Sequence, residues 1–443
     1  MLKIVNKEEL SKSSQRRDAL EILEEGLKAA DPKSSVKEAL NNLRDEINRA
    51  RRIFIIGFGK ASVSMAESCE EELKDKIHDG AVITPRGVKE KNLRKIKVFE
   101  GTHPIPSEIN VDSTKKLISI CSNLTSDDLV ICLISGGGSS LFTFPADGIS
   151  LEEKKLATDV LLKSGADIKE INAIRKHISK VKGGQLLNFL KPAKVISLIL
   201  SDVVGDSVEY IASGPTSPDS STFKDAYNVI KKYNLMSKLP KSVVERIEKG
   251  LRGEITETLK PENKIFNNVK NVVVSNNMKS LVSMKNRAIS LGYNSMILTS
   301  YAQGESREVG KFLCAIMKQI SSYDTPIKKP ACLILGGETT VTVKGKGKGG
   351  RNQELVLSVV LNSKGIKNFV FASVGSDGID GCTDAAGAIA DNFLLEEAAK
   401  INLEPEEFLE NNDSYNFFKQ TGNLIFTGPT GTNVNDFTIA IIF

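Results

Sequence analysis

The chain has 443 residues, 40% of them hydrophobic and 26% charged, and its 60 basic and 55 acidic side chains leave a net charge of +5. This composition is typical of a folded globular protein, and the length favours two domains. Because the charge is small and both signs are interleaved along the chain, nothing indicates a nucleic-acid partner, although a local basic pocket for an anion is still compatible with it.

The six cysteines lie far apart without a CxxC pair, and the three histidines are too few for a histidine-built metal site. No run of 18 apolar residues occurs, and the N-terminus has no apolar signal core. These features predict a cytoplasmic, reduced protein that does not enter a membrane.

Short apolar runs alternate with amphipathic helical patterns from the start of the chain. Residues 14–51 predict two helices with a break at Asp31-Pro32, and a helix also follows Ser107. Strands are predicted at 52–60, 81–85, 95–101, 129–140, where the apolar run ends in glycines, and 193–202, with helices at 60–77 and 151–181 among them. Alternating strands and helices favour an α/β protein, and apolar runs without alternation favour parallel strands covered on both faces.

A charged helical stretch at 236–263 is the candidate domain boundary. Later strands are predicted at 271–277, 293–300, 331–343, 368–378, 423–429 and 436–443. The segment around Glu338 predicts a hairpin, because the strand ACLIL is followed by GGET and then TVTV. We therefore expect a first, Rossmann-like domain with a mainly parallel sheet and a second α/β domain with a mixed sheet.

Glycine-rich turns follow several of these strands, where open α/β sheets bind ligands. Gly57-Phe-Gly-Lys60-Ala-Ser62 resembles a dinucleotide fingerprint in which serine replaces the third glycine. We interpret it as an anion-binding turn whose amides hold a phosphate and whose Lys60 faces the site. The alternative is an ordinary strand-to-helix turn with a surface lysine.

The run Ser135-Gly136-Gly137-Gly138-Ser139-Ser140 combines a flexible backbone with three hydroxyls that can donate to phosphate oxygens. It lacks the GKS/T ending of a Walker A loop. The alternative interpretation is a flexible loop without a ligand.

Two acidic turns could bind a cation or accept a proton. Asp202 follows a buried strand, and Asp377 begins a series of carboxylates among glycines that continues with Asp380 and Asp384. Neither is an EF-hand, and both could instead be turn or capping residues.

Two basic stretches could contact anions. Asn172, Arg175, Ser179 and Lys182 recur at helical spacing, which suits either a solvated face or a cationic cleft. The Lys344–Gly350 loop is expected to be mobile and to favour phosphate, and Arg351 at its end could clamp an anion. For His103, between turn residues and prolines, both a structural and a catalytic role are open.

Eight motifs together resemble the glycerate 2-kinases of the MOFRL type. In chain order they are GFGKAS, THPIPSE, LISGGGSSL, INAIRKHISKVKGGQL, SDVVGD with ASGPTSPD, GGETTVTVKGKGKGGRNQE, GSDGIDGCTDAAGAI and GTNVND. The resemblance implies transfer of the ATP γ-phosphoryl group to the 2-hydroxyl of D-glycerate, with Mg²⁺ or another divalent cation. It also implies a domain at 1–240, a second at 241–443 with a MOFRL core at about 330–443, and an active site in the cleft between them.

The resemblance marks Lys60 and Arg351 as the strongest substrate or transition-state residues, and the other roles given below are our hypotheses. Lys60, Arg351 and Asp202 are expected to be catalytic, and Asp202 and Asp377 to hold the metal or accept the hydroxyl proton. Glycerate is expected to contact Lys60, Arg175, Ser135, Gly136 and Arg351. The nucleotide is expected to contact Gly137, Gly138, Ser139, Ser140, Lys182, Gly337, Glu338, Thr339 and Asn352. The oligomeric state, monomer or homodimer, stays open.

Two other functions are considered. An NADP-dependent hydroxy-acid dehydrogenase would use the turn at Lys60 with Arg86 near the next strand, but it gives no reason for the triple glycine. A non-catalytic anion-binding regulator would tolerate changes of the carboxylates at 377–384.

Overall fold

Residues 3–88 and 93–443 are described by a computed structural model of the chain. It divides into two compact units. Pro32–Val274 form the sheet-1 unit, and Met1–Asp31 with Ser275–Phe443 form the sheet-2 unit. No helix in the described part of the chain is long and apolar enough to cross a membrane.

The described residues form twelve strands and eighteen α-helices. The strands are β1 (Ile53–Phe58), β2 (Ile77–Pro85), β3 (Ile96–Gly101), β4 (Leu129–Ile134), β5 (Lys194–Leu200), β6 (Val269–Ser275), β7 (Asn294–Ala302), β8 (Ala331–Gly337), β9 (Phe369–Gly375), β10 (Gly387–Asp391), β11 (Leu424–Ile425) and β12 (Asp436–Ile442). The first helices are α1 (Lys7–Leu10), α2 (Ser14–Ala29), α3 (Pro32–Asn42), α4 (Arg44–Asn48), α5 (Ser62–Leu73), α6 (Glu108–Ser119), α7 (Gly138–Leu141), α8 (Leu151–Lys163) and α9 (Ile168–His177). The others are α10 (Leu187–Leu190), α11 (Phe223–Lys232), α12 (Lys241–Leu251), α13 (Asn277–Ser290), α14 (Ser306–Tyr323), α15 (Arg351–Asn362), α16 (Leu394–Lys400), α17 (Pro405–Glu410) and α18 (Ser414–Gln420).

The first sheet has six strands in the order β3-β2-β1-β4-β5-β6. Strand β1 pairs in parallel with β2 and β4, and β2/β3 and β4/β5 are parallel as well. Both β1 and β4 are buried along their whole length, as their continuous apolar sequences predicted. The chain reverses its strand order between β1 and β4, so the turns after these two strands lie at the topological switch point where such sheets bind ligands.

The second sheet is mixed, with strand order β11-β10-β9-β12-β8-β7. The central strand β12 is antiparallel to both β8 and β9, whereas β7 and β8 are parallel. Helix α15 is buried along nearly all its length in the core of this unit. The predicted Rossmann-like parallel sheet and second mixed sheet are therefore confirmed.

Three sequence predictions need correction here. The strand at 271–277 corresponds to β6, which belongs to the first sheet and not to the second domain. No hairpin forms at Glu338: the chain beyond β8 runs beside residues 304–306, where the Thr340 amide donates to the Gly304 carbonyl (2.8 Å). The strand predicted at 423–429 is limited to the two residues of β11, and β10 was not predicted.

The compact units also differ from the predicted domain limits. Helix α12 packs on α8 and α11 within the sheet-1 unit, so the chain stays in that unit past residue 240. Helix α2 packs on α13 and β12, which places the first 31 residues in the sheet-2 unit. The predicted break at Asp31-Pro32 is the point where the chain leaves that unit.

Candidate functional site

The turn after β1 is closed by protein acceptors. The Lys60 amide donates to the Gly136 carbonyl (2.8 Å), and the Ala61 amide donates to Ser135 Oγ (3.1 Å). Gly59 has φ +125° and packs so closely on Ser135 that a Cβ would collide with it. The prediction that the amides of this turn hold a phosphate is therefore wrong for Lys60 and Ala61, because both are already bonded.

What the turn does provide is the Lys60 side chain. It is exposed, and its Cγ would lie 3.4 Å from a Cβ built on Gly137. The turn after β1 thus brings an exposed lysine side chain to the glycines that follow β4. Lys60 is available to an anion at this edge of the sheet.

The triple glycine after β4 remains open to a ligand. Gly137 has φ +79°, a conformation that suits glycine. Within the described part of the chain, no residue accepts a hydrogen bond from the amides of Gly136 and Gly137. A side chain at Gly136 would collide with the Asp202 carboxylate, which shows that Asp202 lies directly against this loop.

His103 lies on the other side of the same loop. A Cβ on Gly137 would be 3.1 Å from His103 Nε2, so the imidazole faces the glycines. Partial burial, together with the charge of Lys60, lowers the pKa of His103. A neutral imidazole beside Lys60 can donate or accept a hydrogen bond at the loop.

Ser139 is the point where the triple-glycine loop meets the basic stretch that follows. Arg175 Nη2 donates to Ser139 Oγ (2.6 Å), and Lys182 Nζ donates to the Ser139 carbonyl (2.7 Å). Ser213 Oγ lies 2.9 Å from the same hydroxyl. Arg175 and Lys182 therefore point inward, and the interpretation of this stripe as a solvated face is wrong for both.

The backbone around Ser213 is held in an unusual conformation. Ala212 and Ser213 have φ of +50° and +64°, although neither is glycine. The amides of Gly183 and Gly184 donate to the carbonyls of Ser213 and Gly214, at 3.0 and 2.7 Å. Strained conformations of this kind concentrate at functional sites, where the surrounding structure enforces them.

Lys154 is a functional candidate that the sequence reasoning missed. Its side chain is only 6% exposed, and Nζ donates to the Ile178 carbonyl (3.1 Å). Burial, with smaller contributions from Arg175 and Arg246, lowers the pKa of Lys154 to about 7. The signal was present: Leu151, Lys154, Ala157 and Leu161 form the buried face of α8 at helical spacing.

Lys154, Arg175 and Lys182 line one cavity of about 580 Å³. Burial lowers the pKa of Arg175, and burial together with Arg175 and Lys154 lowers that of Lys182 well below its usual value. Ser139, Ser140 and Thr143 complete the polar wall. The cavity thus concentrates positive charge beside the triple-glycine loop.

A second group of predicted residues lies in the sheet-2 unit, around Arg351 at the start of α15. Arg351 binds Asp436 through two hydrogen bonds, Nε to Oδ2 (2.6 Å) and Nη2 to Oδ1 (2.9 Å), and its Nη1 donates to Glu338 Oε1 (2.7 Å). Burial acts against the charge of Arg351, but the bond to Asp436 outweighs it and raises the pKa. Asp436, at the first position of β12, was not singled out from the sequence.

Asp380 supports the start of the same helix. Its carboxylate accepts the amides of Asn352 (3.0 Å) and Gln353 (2.8 Å). Because the side chain is fully buried, the pKa of Asp380 is raised to about 6 despite these bonds. Asp380 therefore binds the backbone amides of Asn352 and Gln353, so the amide of Asn352 is not free to bind a phosphate.

Glu338, Thr339 and Arg351 line a cavity of about 680 Å³ with the glycines of the basic loop. Gly337, with φ +138°, lies so close to Ala302 that a Cβ would strike its backbone. The predicted nucleotide residues Gly337, Glu338 and Thr339 are therefore grouped with Arg351 within this unit. Thr339 Oγ1 is held by Ser306 (2.8 Å) and faces inward.

The basic loop between β8 and α15 is an ordered segment. The amides of Lys344 and Gly345 donate to Asn412 Oδ1 (2.8 and 3.0 Å), and the Lys348 amide donates to Asp413 Oδ1 (2.7 Å). Its glycines are needed because the loop packs directly on residues 411–414. The expectation of a mobile loop whose backbone binds phosphate is wrong for these amides.

The two carboxylates predicted for the metal lie in different units. Asp202 belongs to the sheet-1 unit beside Gly136, and Asp377 lies in the sheet-2 unit, where its Oδ1 accepts the Ile379 amide (3.2 Å). Among residues 3–88 and 93–443, no group of three or more potential metal-binding side chains occurs. The chain does not build a cage from its own side chains, but Mg²⁺ commonly uses one or two carboxylates together with substrate phosphates.

Taken together, the fold and the two clusters define a two-unit α/β protein with cationic, glycine-rich sites suited to phosphorylated or carboxylate ligands. Residues 18–248 match a family described as a domain of unknown function (DUF4147), and residues 331–436 match the MOFRL family. The chain is 43% identical to the D-glycerate 2-kinase of Thermotoga maritima, over 97% of this chain and 99% of that protein. It is also 43% identical to a glycerate 2-kinase of Pyrococcus horikoshii, over 96% of this chain and 97% of the other.

A solved structure agrees with these sequences. The crystal structure of glycerate kinase from Thermotoga maritima matches with a TM-score of 0.89 over 96% of this chain and 99% of that chain. The protein belongs to the MOFRL-type glycerate 2-kinase family. The resemblance stated from the eight motifs is confirmed.

Proposed function

We propose that the protein transfers the γ-phosphoryl group of ATP to the 2-hydroxyl of D-glycerate, forming 2-phosphoglycerate and ADP. The observation that carries this proposal is the concentration of positive charge and free glycine amides around Ser139, in a chain similar to glycerate 2-kinases along nearly its whole length. Phosphoryl transfer depends mainly on positioning and on stabilising negative charge, which cations and amides supply.

In the proposed reaction, a bond forms between the 2-hydroxyl oxygen and the γ-phosphorus, and the bond from that phosphorus to the β–γ bridging oxygen breaks. The 2-hydroxyl proton goes to a carboxylate. Asp202 is our candidate acceptor, which its position against Gly136 supports. Asp377 is the alternative.

Lys60 and Arg351 are proposed to stabilise the transferring group or the glycerate carboxylate. The exposure of Lys60 beside the triple glycine supports its role. Arg351 is already fixed in orientation by Asp436, so its guanidinium loses little freedom when it binds an anion. Ser135 and Gly136 with Arg175 are proposed on the glycerate side, and the remaining residues of the two clusters on the nucleotide side.

A divalent cation, Mg²⁺ or another, would be held by Asp202 or Asp377 together with phosphate oxygens. When bound, it would neutralise charge on the phosphates during transfer. The donor set fits this use, because Mg²⁺ commonly binds through one or two carboxylates together with substrate phosphates. The two units are proposed to serve one reaction, in a cytoplasmic enzyme.

The test is ADP formation by the purified protein with ATP and magnesium, with and without D-glycerate. We expect ADP formation to depend on D-glycerate, to fall sharply with L-glycerate, and to stop with EDTA. No D-glycerate-dependent ADP formation would contradict the proposal. Oxidation of NADPH with hydroxypyruvate instead would favour the dehydrogenase, against which the bonded amides of Lys60 and Ala61 already argue.

A further inference from the structure

The cavity beside Ser139 has features that the reaction scheme does not use. We infer that it is the nucleotide subsite: Lys154, Arg175 and Lys182 bind the phosphates of a nucleoside triphosphate, and the apolar mouth of the cavity holds the base. This inference rests on the proposed kinase function. It assigns a phosphate-binding role to Lys154 and moves Arg175 from the glycerate to the nucleotide.

The three basic side chains of the cavity have only uncharged hydrogen-bond acceptors. The hydrogen bonds of these three cations go to the Ile178 carbonyl, the Ser139 hydroxyl and the Ser139 carbonyl, all of them uncharged. In the described part of the chain, none of the three forms an ion pair with a carboxylate. Lys154 and Lys182 are almost fully buried. Buried ammonium groups without counter-ions are costly, so an external anion would stabilise their charged forms.

The carboxylates at the mouth are not that partner. Glu152 and Asp159 also line the cavity, but each pairs with a lysine of its own helix. Glu152 Oε1 is 2.9 Å from Lys155 Nζ, and Asp159 Oδ2 is 2.8 Å from Lys163 Nζ. The positive charge in the depth of the cavity is therefore left for a ligand.

The size and polarity of the cavity suit a nucleotide better than glycerate. A volume of about 580 Å³ suits a ligand much larger than a three-carbon acid. Three large apolar side chains at the mouth are exposed: Ile105 by 65%, Leu156 by 50% and Leu162 by 64%. Exposed apolar groups rimming a polar cavity indicate a ligand with a flat apolar part, which the base of a nucleotide has and glycerate lacks.

The number of negative charges on the ligand also favours a nucleotide over glycerate. Glycerate carries one negative charge, whereas a triphosphate carries several and can engage three cations at once. Ser139, Ser140 and Thr143 add hydroxyls to the same wall. We therefore assign this cavity to the polyphosphate and not to the carboxylate of the acceptor.

The protonation of Lys154 gives a second readout. Burial is the main cause of its lowered pKa, and the cations that face it, Arg175 on α9 and Arg246 on α12, further disfavour its charged form. A polyphosphate in the cavity would reverse this effect and restore the usual basicity of the amine. Nucleotide binding near pH 7.5 should then take up a proton from the buffer.

The experiment measures binding of a non-hydrolysable ATP analogue by calorimetry, without glycerate, in two buffers of different ionisation enthalpy. Lys154→Met keeps the length and apolar stem of the side chain. Lys163→Met, at the exposed end of the same helix, is the matched control. We expect Lys154→Met to weaken analogue binding at least tenfold and to reduce proton uptake, whereas Lys163→Met stays within twofold of the wild type on both.

Analogue affinity within twofold of the wild type for both Lys154→Met and Arg175→Gln would overturn the inference. So would a rise in the KM for D-glycerate with unchanged analogue affinity, because the cavity would then bind the acceptor. Direct binding separates the two proposals: Lys154-dependent binding supports the subsite even if the glycerate assay shows no turnover. Glycerate-dependent turnover with Lys154-independent binding overturns the subsite alone.

Discussion

Arg351 and Asp436 form a bidentate ion pair in which Nε and Nη2 of the guanidinium donate to the two carboxylate oxygens at 2.6 and 2.9 Å. Asp436 is the first residue of β12, the central strand of the second sheet, and Arg351 is the first residue of α15. The pair therefore ties Arg351 to a strand that is buried along its whole length. The orientation of Arg351 is fixed before any substrate arrives.

The pair with Asp436 should matter much more for stability than the pair with Glu338. Asp436 is 6% exposed and the Arg351 side chain is 31% exposed. Asp436→Asn removes the charge from this bidentate pair and should cost about 1.5–3 kcal/mol of unfolding free energy. The Glu338 side chain is 44% exposed, and Glu338→Gln should cost less than about 1 kcal/mol. Urea unfolding of both variants measures this; equal losses would contradict the ranking.

Lys60 should affect turnover and leave stability alone. Because its side chain is exposed, Lys60→Met should keep the unfolding free energy within about 0.5 kcal/mol of the wild type. Loss of a cation that stabilises transferring charge should lower kcat by about 10²–10³-fold. Steady-state ADP formation together with thermal unfolding checks both. A variant with wild-type kcat would remove Lys60 from the reaction.

Lys154 should impose a pH dependence on stability. Its pKa of about 7 in the folded protein lies below its unfolded value, so the unfolded chain binds more protons between the two. Unfolding free energy should then rise with pH across this window, by up to about 1.4 kcal/mol per pH unit for this group.

Lys154→Met should remove that contribution and should be more stable than the wild type at pH 7. The measurement is urea unfolding at pH 7.5 and pH 9 for the wild type, Lys154→Met and Lys163→Met. We expect the slope against pH to be smaller only in Lys154→Met. The same slope in all three proteins would show that Lys154 keeps its usual pKa.

Gly347 tests whether the basic loop is ordered. A Cβ there would collide with Asp413 and approach the Asn411 carbonyl to 2.6 Å. Gly347→Ala should therefore cost about 1–3 kcal/mol of unfolding free energy, while Lys346→Ala, at an exposed neighbour, should cost less than about 0.5 kcal/mol. Chemical unfolding compares the two. Equal unfolding free energies of Gly347→Ala and the wild type would contradict an ordered loop and favour a mobile one.

Local sequence predicted most of the fold, because buried strands such as β1 and β4 are continuous apolar runs that end in glycine turns. It could not predict which sheet β6 joins, because strand pairing depends on chain segments far apart in sequence. It also could not predict β10, a five-residue strand whose Gly-Ala-Ile-Ala-Asp sequence carries little strand propensity.

The candidate site, like the fold, could be predicted from the sequence only in part. Glycine clusters located the loops at the switch point, but the sequence could not show that the amides of Lys60 and Ala61 are used by the neighbouring loop. It marked Arg175 and Lys182 on a polar stripe without showing which way they point. Lys154 was overlooked because a lysine in a helical pattern is ordinarily interpreted as a surface residue, even where its position falls on the buried face.

The most direct test of the central claim is the structure of the phosphorylated product. The proton-coupled ³¹P spectrum of a reaction with ATP, magnesium and D-glycerate distinguishes the two hydroxyls, since carbon 2 bears one proton and carbon 3 bears two. We predict a new phosphomonoester resonance split into a doublet, which is absent with Lys60→Met. A triplet, from phosphate on the 3-hydroxyl, or no new resonance would contradict the assignment as a glycerate 2-kinase.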